Sequence, residues 1–333
     1  MAPSIPIIDV APAFADDEHL SVIREIRDAL RDVGFLQIVG HGVEPRLFDE
    51  MYAAKDELIA LPEETKCSLK SQTHPFRGWT RHRDAEGRTT SERFQVCNLD
   101  DASAALAAGV DPRWQDYFHA NIWPEIPTFR PTLRRYFDAT RKVGAALMSL
   151  FAEALELEPD YFEPLFQQDV TCFALNVYPG EHRSLLASEP TVVLPAHGDS
   201  GALTILHQRG QYAGLQVQQC SGEWLTVPII DEALVINVGE LMAHWTNDLW
   251  AATSHRVVAA TDEDKTRSSL TTFYLPGVNT LIAPLPTCVD GEAHYEPVTP
   301  YEWEGRYLAR QYERVSGSYV RRVDSERRPM RVG

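Results

Sequence analysis

The chain has 333 residues, a net charge of −17 and 44% hydrophobic residues. That length and apolar content allow one large fold, or two joined parts, with a substantial core. The charge argues against nucleic acid or an anionic membrane as the main partner, because an acidic surface repels both. Met1–Ala15 shows no charged and then apolar leader, and no apolar run reaches roughly 18 residues, so the expectation is a cytoplasmic protein that neither enters nor crosses a membrane. Cys67, Cys97, Cys172, Cys220 and Cys288 are scattered without a CxxC, which predicts free thiols in a reducing compartment.

In chain order, Ile5–Val10 is a short apolar strand. His19–Val33 has apolar residues at helical spacing, with Asp16 and Asp17 as cap candidates and Gly34 as its stop. Phe35–Val39 reads as a strand leading into the turn at Gly40–Gly42, and Pro45–Leu61 as a helix. Residues 71–93 are polar, basic and glycine-containing and are expected to form a long loop, the kind of segment that serves as a lid or a binding loop. Phe129–Leu155 predicts a long helix with Pro131 in its first turn, and Tyr161–Gln167 a short one. From Asp169 to Leu275 the chain changes to short β runs separated by turns: Thr171–Tyr178, Ala202–His207, Gly214–Val217, Glu223–Val227, Ala233–Val238 and Ser268–Leu275. Such regular strands suggest a sandwich or jelly roll. A helix over Tyr301–Tyr312 follows, and then a basic, frayed tail at Ser325–Gly333. The expected organisation is a mixed α/β region at 1–168 packing on the core, a β domain at 169–285, and a C-terminal helix and tail at 286–333.

His197–Gly198–Asp199 places two metal-ligand types one residue apart. On a strand such residues point to the same side and can reach one ion, with Gly198 easing the backbone. Two histidines and one carboxylate on one face of a metal are the usual ligand set of non-haem iron oxygenases. With eleven histidines in the chain, about one such spacing arises by chance, and His82–Asp84 and His294–Glu296 repeat it. His82 lies between two arginines and His294 in a proline-rich stretch, so both read as solvated surface groups. His197 instead closes the apolar run 191–196 and precedes another at 201–206. Further along, Arg267 and Ser269 stand two apart, a guanidinium and a hydroxyl that could capture a carboxylate together. The alternative is a surface arginine following the acidic turn 262–264.

A series of ordered elements resembles the isopenicillin N synthase-like branch of the iron(II)/2-oxoglutarate dioxygenases over most of the chain. They are Asp32–Phe35 with Gln37–Val43, Arg77–Gly78–Trp79, Asn121–Pro124, Asn176–Pro179, Gly214–Val217, Gly222–Trp224, Thr246–Asn247, His255–Val257 and Arg267–Ser269. The resemblance implies a mainly β fold with flanking helices around a double-stranded β-helix (jelly roll) core. It implies Fe(II) held by His197, Asp199 and His255, with Arg267 and Ser269 on the C5 carboxylate of 2-oxoglutarate and Tyr178 and Asn176 assisting. For those last two the plain alternative is a core tyrosine and a strand asparagine serving the backbone. Two positions depart from the pattern. Glu240 stands where the family has Asp, implying an adjusted supporting contact. Trp79 replaces a Tyr, implying a reshaped substrate pocket. Asp199 is retained, whereas related halogenases put a small residue there.

The implied reaction oxidises a small organic molecule with O2 while 2-oxoglutarate is decarboxylated to succinate and CO2; hydroxylation, desaturation and ring formation all remain open, as does the oligomeric state. Arg81, His82, Arg83, His182 and Arg183 could meet an acidic substrate or could be solvated surface cations. Three rivals stand beside this reading: an oxidase of the same family that omits 2-oxoglutarate, a zinc hydrolase with the same ligands, and a non-catalytic β-sandwich binding protein.

Overall fold

The computed structural model describes residues 4–14, 19–180, 190–260 and 265–307. Asp16 and Asp17, the acidic turn 262–264, His182, Arg183 and the tail Ser325–Gly333 lie outside them.

Twelve strands are formed: β1 (Ile7–Asp9), β2 (Phe35–Val39), β3 (Gly78–Arg83), β4 (Thr89–Cys97), β5 (Cys172–Tyr178), β6 (Val192–His197), β7 (Leu203–Gly210), β8 (Leu215–Gln218), β9 (Trp224–Thr226), β10 (Leu234–Val238), β11 (His255–Val258) and β12 (Arg267–Tyr274). Eight make a sheet in the order β1-β2-β10-β7-β12-β5-β4-β3, and four make a second sheet, β6-β11-β8-β9. Val193, Leu215, Val217 and Val257 of the small sheet pack against Phe35, Tyr178 and Val235 of the large one. This two-sheet sandwich is the jelly-roll core that the sequence led one to expect.

Strand alternation divides the large sheet into two faces of different character. Phe94, Leu175, Leu270, Ile205, Ile236 and Leu36 align across neighbouring strands on the outer face. There they join one core with the apolar stripes of the helices His19–Asp32, Pro45–Ile59 and Phe129–Ala154. Arg93, Asn176, Ser269, Gln208, Thr204 and Asn237 occupy the intervening positions and face the small sheet. A long apolar strip therefore holds the helices, while the interior of the sandwich is left for polar chemistry.

Two expectations are corrected. The segment read as a loop over 71–93 is largely the hairpin of β3 and β4, paired from Gly78↔Gln95 to Arg83↔Thr89. Its charges are cross-strand partners and not loop polarity: Arg81 pairs with Glu92, which also takes Lys66 and the Trp79 indole. The cysteines are not all free either. Cys97 and Cys172 oppose each other on β4 and β5 and are joined in a disulfide, leaving Cys67, Cys220 and Cys288 as free thiols. Their 75-residue separation conceals a pairing that only the strand register creates.

The expected C-terminal helix is present over 300–307, and the remainder of its expected length lies outside the described residues. It docks beside the sandwich mouth, where the Trp303 indole donates to the Ser200 carbonyl at 3.1 Å and the Ser200 hydroxyl donates to Glu304 at 2.9 Å. Among the described residues no helix is long and apolar enough to cross a membrane.

Candidate active site

β6 ends on His197 and β11 begins on His255, and the two histidines are directly paired across these strands with ring centroids 4.3 Å apart. Asp199 is not on the strand, as expected from its spacing, but just past its end, where the turn carries its carboxylate back between the two rings. Its Oδ1 lies 4.0 Å from Nε2 of His197 and 3.7 Å from Nε2 of His255. Ligand atoms of the three residues all fall within 4.8 Å of one another, the one such cluster among the described residues. His82 is instead an exposed residue of β3, and Asp84 is engaged by Arg88 and the hairpin backbone. His294 lies 3.1 Å from Asp248.

The surroundings orient each of the three groups toward one point. Nδ1 of His197 contacts the Pro195 carbonyl at 2.8 Å, and Nδ1 of His255 the Thr253 carbonyl at 3.2 Å. A carbonyl only accepts, so both Nδ1 atoms donate and both Nε2 atoms are turned toward Asp199 Oδ1. Asp199 Oδ2 accepts from the Thr204 hydroxyl at 2.6 Å and from the Asn237 amide at 2.8 Å, leaving Oδ1 to face the imidazoles. Burial opposes ionisation of Asp199, but His255, His197 and those two donors outweigh it and hold the carboxyl below its ordinary range. Burial, and then His255, lower the His197 pKa. Two imidazoles and a carboxylate on one side could hold a divalent metal with positions left open.

The Glu240 departure is explained by the backbone. Its amide donates to the Asp199 carbonyl at 2.7 Å and opens the short helix Glu240–Trp245, so the side chain is not needed as a ligand. Trp79 does not shape the pocket as expected. It is buried on the outer face opposite Phe94, in the core beneath the helices.

Arg267 is 1% exposed, which removes the surface-arginine alternative. Its Nη2 donates to Gln208 Oε1 at 3.0 Å, whereas Nε and Nη1 are buried without a hydrogen-bond partner. The guanidinium sits 5.3 Å from the ring of Tyr178, its direct partner on β5. Beside it, Asn176 donates to the Ser269 hydroxyl at 3.2 Å. Buried orphan donors of this kind are costly alone and suit an incoming anion such as a carboxylate.

Sequence reasoning missed the supports and one cation. Thr204, Asn237 and Gln208 were hidden in apolar runs, and only the register Asn237↔Thr204 and Ser269↔Gln208 brings them inward. Arg93 was read as part of a loop, yet it lies opposite Asn176 on the inner face.

Comparison with known proteins agrees with this geometry. Residues 5–126 match the family described as non-haem dioxygenase in morphine synthesis N-terminal, and residues 170–276 match the 2OG-Fe(II) oxygenase superfamily. The chain is 30% identical to the 2-oxoglutarate-dependent dioxygenase thnC of Trichoderma harzianum over 286 residues, covering 81% of this chain and 84% of that protein. A full-length Neurospora crassa protein crystallised with alpha-KG shares the fold at TM-score 0.77 and 24% identity, covering 92% of this chain and 96% of that one. The complex of JOX2 with 2OG, Fe and JA superposes at TM-score 0.73 with 27% identity over 91% of this chain and 85% of that one. With the two family matches lying in order along the chain, and a fungal dioxygenase aligned over most of its length, the protein belongs to the 2OG-Fe(II) oxygenase superfamily.

Proposed function

We propose that His197, Asp199 and His255 hold the Fe(II) of this 2-oxoglutarate-dependent dioxygenase, and that Arg267 and Ser269 receive the C5 carboxylate of 2-oxoglutarate. Asn176 fixes the Ser269 hydroxyl, and the Tyr178 ring forms the wall under the guanidinium. With O2 and 2-oxoglutarate, the metal supplies oxidation of a small organic substrate coupled to release of succinate and CO2. The protein's part is to turn both Nε2 atoms and one carboxylate oxygen toward the metal position, and to anchor the cosubstrate's far end away from water.

The observation that carries this reading is the pair of partnerless buried nitrogens on Arg267, on the same sheet face as the Thr204 and Asn237 groups that hold Asp199. A same-family oxidase that omits 2-oxoglutarate would keep the same arginine and serine, and the 2-oxoglutarate-dependent dioxygenase aligned over 81% of this chain favours the first reading. The carboxylate of Asp199 speaks against halogenation. The −17 charge supports a small molecule as the partner, and neither nucleic acid nor an anionic membrane; a cytoplasmic location is part of the same proposal. We also propose the division into an N-terminal region at 1–168, a catalytic jelly roll at 169–285 and a C-terminal element at 286–333.

The test is anaerobic addition of Fe(II) and 2-oxoglutarate to the full chain, read by the weak visible charge-transfer band of the bound pair. A band that saturates with both components is expected. Folded protein without it defeats the assignment.

A further inference from the structure

Arg93 is the one inward-facing cation of β4, and nothing in the reading above uses it. Its neighbour Glu92 points to the opposite face, where Lys66, Arg81 and Trp79 consume both carboxylate oxygens. On its own face Arg93 is flanked by the neutral Thr80 of β3 and Asn176 of β5. It makes no ion pair among the described residues, and its Nε is shielded from solvent without a hydrogen-bond partner. The guanidinium carbon lies 5.9 Å from the Phe76 ring and 5.8 Å from the Phe273 ring. Its field reaches Asp199, His197 and Tyr178, so it lies within electrostatic reach of the metal position. Tyr307 of the C-terminal helix is within the same reach of Asp199 and Arg93.

We propose that Arg93 is the substrate-recognition cation of this oxygenase, and that the substrate is a small carboxylic acid whose carboxylate meets this guanidinium beside the Phe76 and Phe273 rings. The inference rests on the iron and 2-oxoglutarate assignments made above. The charge balance is compatible with this: Fe(II), ionised Asp199, dianionic 2-oxoglutarate and Arg267 cancel in formal charge, and Arg93 is a half-buried cation that makes no ion pair among the described residues. Such a cation is costly until an anion arrives, so binding an acid recovers what a neutral analogue cannot. A planar two-pronged donor also matches a carboxylate in particular. Position within the sheet separates the two arginines: Arg267 lies on β12, whereas Arg93 lies two strands away, toward the β3 edge.

The test uses the Fe(II)-loaded full chain with a set of aromatic and aliphatic monocarboxylic acids, each beside its methyl ester and carboxamide. Succinate formation above the substrate-free rate is the readout. At least one acid is expected to stimulate turnover about tenfold more than its own ester and amide. Arg93→Gln should lower kcat/KM for that acid by about 100-fold, with Arg93→Lys recovering part of it, while the 2-oxoglutarate titration of the anaerobic band keeps its wild-type midpoint. Acids that stimulate no better than their neutral partners overturn the proposal, as does a set in which no acid stimulates. A shifted 2-oxoglutarate midpoint in Arg93→Gln assigns Arg93 to the cosubstrate and also overturns it. Absence of the band in the wild-type protein is a different failure, that of the iron and 2-oxoglutarate assignment itself.

Discussion

Arg267 and Gln208 meet on neighbouring strands inside the sandwich, with Nη2 donating to Oε1 at 3.0 Å. The contact fixes the roll of the guanidinium and leaves Nε and Nη1, two buried donors without a hydrogen-bond partner, for the cosubstrate. Each charge-assisted hydrogen bond to a carboxylate is worth about 1.5–3 kcal/mol. Arg267→Ala is therefore expected to weaken 2-oxoglutarate about 100- to 1000-fold. Gln208→Leu, which frees only the roll, should cost about tenfold. Iron(II) affinity, measured by equilibrium dialysis, should stay near wild type in both. Collapse of iron binding in Arg267→Ala would mean that the residue holds the fold and not the cosubstrate.

The two donors to Asp199 Oδ2 act one step behind the metal position. Removing either lets the carboxylate rotate and lose its single-oxygen presentation. Thr204→Val and Asn237→Ala should each lower iron affinity by about 10- to 100-fold, the usual range for groups that orient a ligand. Competition with a colorimetric chelator measures this directly. Unchanged competition curves for both variants would show that Asp199 needs no support.

The cluster of His197, Asp199 and His255 was legible because its motif sits at the end of an apolar run, where the two decoys do not. The jelly roll was legible from short β runs at regular spacing, each found within a few residues of its expected bounds. What stayed hidden depends on register. Arg93 and Glu92 are adjacent charges in the sequence, yet alternation sends one to the active face and the other to an ion-pair network. Cys97 and Cys172 are likewise ordinary scattered cysteines until β4 and β5 pair. The β3–β4 hairpin was lost because its strands are held by cross-strand charges, a polar composition that imitates a loop.

The spacing suggested that Gly198 eases the backbone between His197 and Asp199, but the tight position is Gly239. A Cβ there would sit 2.2 Å from the Gly201 carbonyl oxygen and 2.8 Å from that of Asp199, backbone atoms that cannot step aside cheaply. At Gly198 the nearest such atom is 3.5 Å away, an ordinary contact. Gly239→Ala is expected to destabilise the fold by about 2–3 kcal/mol and to weaken iron by displacing the Asp199 turn. Gly198→Ala should stay within about 0.5 kcal/mol of wild type. Chemical denaturation of the two variants side by side decides, and a reversed ranking would refute the argument.

Trp79 offers a contrast between position in a motif and position in the molecule. Its indole donates to Glu92 Oε2 at 2.9 Å on the outer face, away from Asn176 and Arg93. Trp79→Phe should lower stability by about 1–2 kcal/mol through the lost bond and smaller buried ring. Substrate and 2-oxoglutarate KM values should be unaffected. A KM shift without a stability loss would return Trp79 to the pocket.

His207 sets an expected acid limit on stability. It is 2% exposed, stacks on Phe48 at 4.0 Å and lies 3.0 Å from the Tyr52 hydroxyl. Burial, and then Arg209 and His41, push its pKa from 6.5 down to about 3. Above pH 6.5 it is neutral folded or unfolded and contributes no slope. Below that value the unfolded chain takes up a proton that the folded one refuses, so stability falls with pH until the folded value is reached. The slope from this group approaches about 1.4 kcal/mol per pH unit. His207→Gln forfeits the ring stack and lowers stability everywhere, but it should flatten the decline between about pH 6 and 4.5 by most of that slope. Urea midpoints of both proteins across this window measure the difference, and parallel curves would show that His207 protonates normally in the folded state.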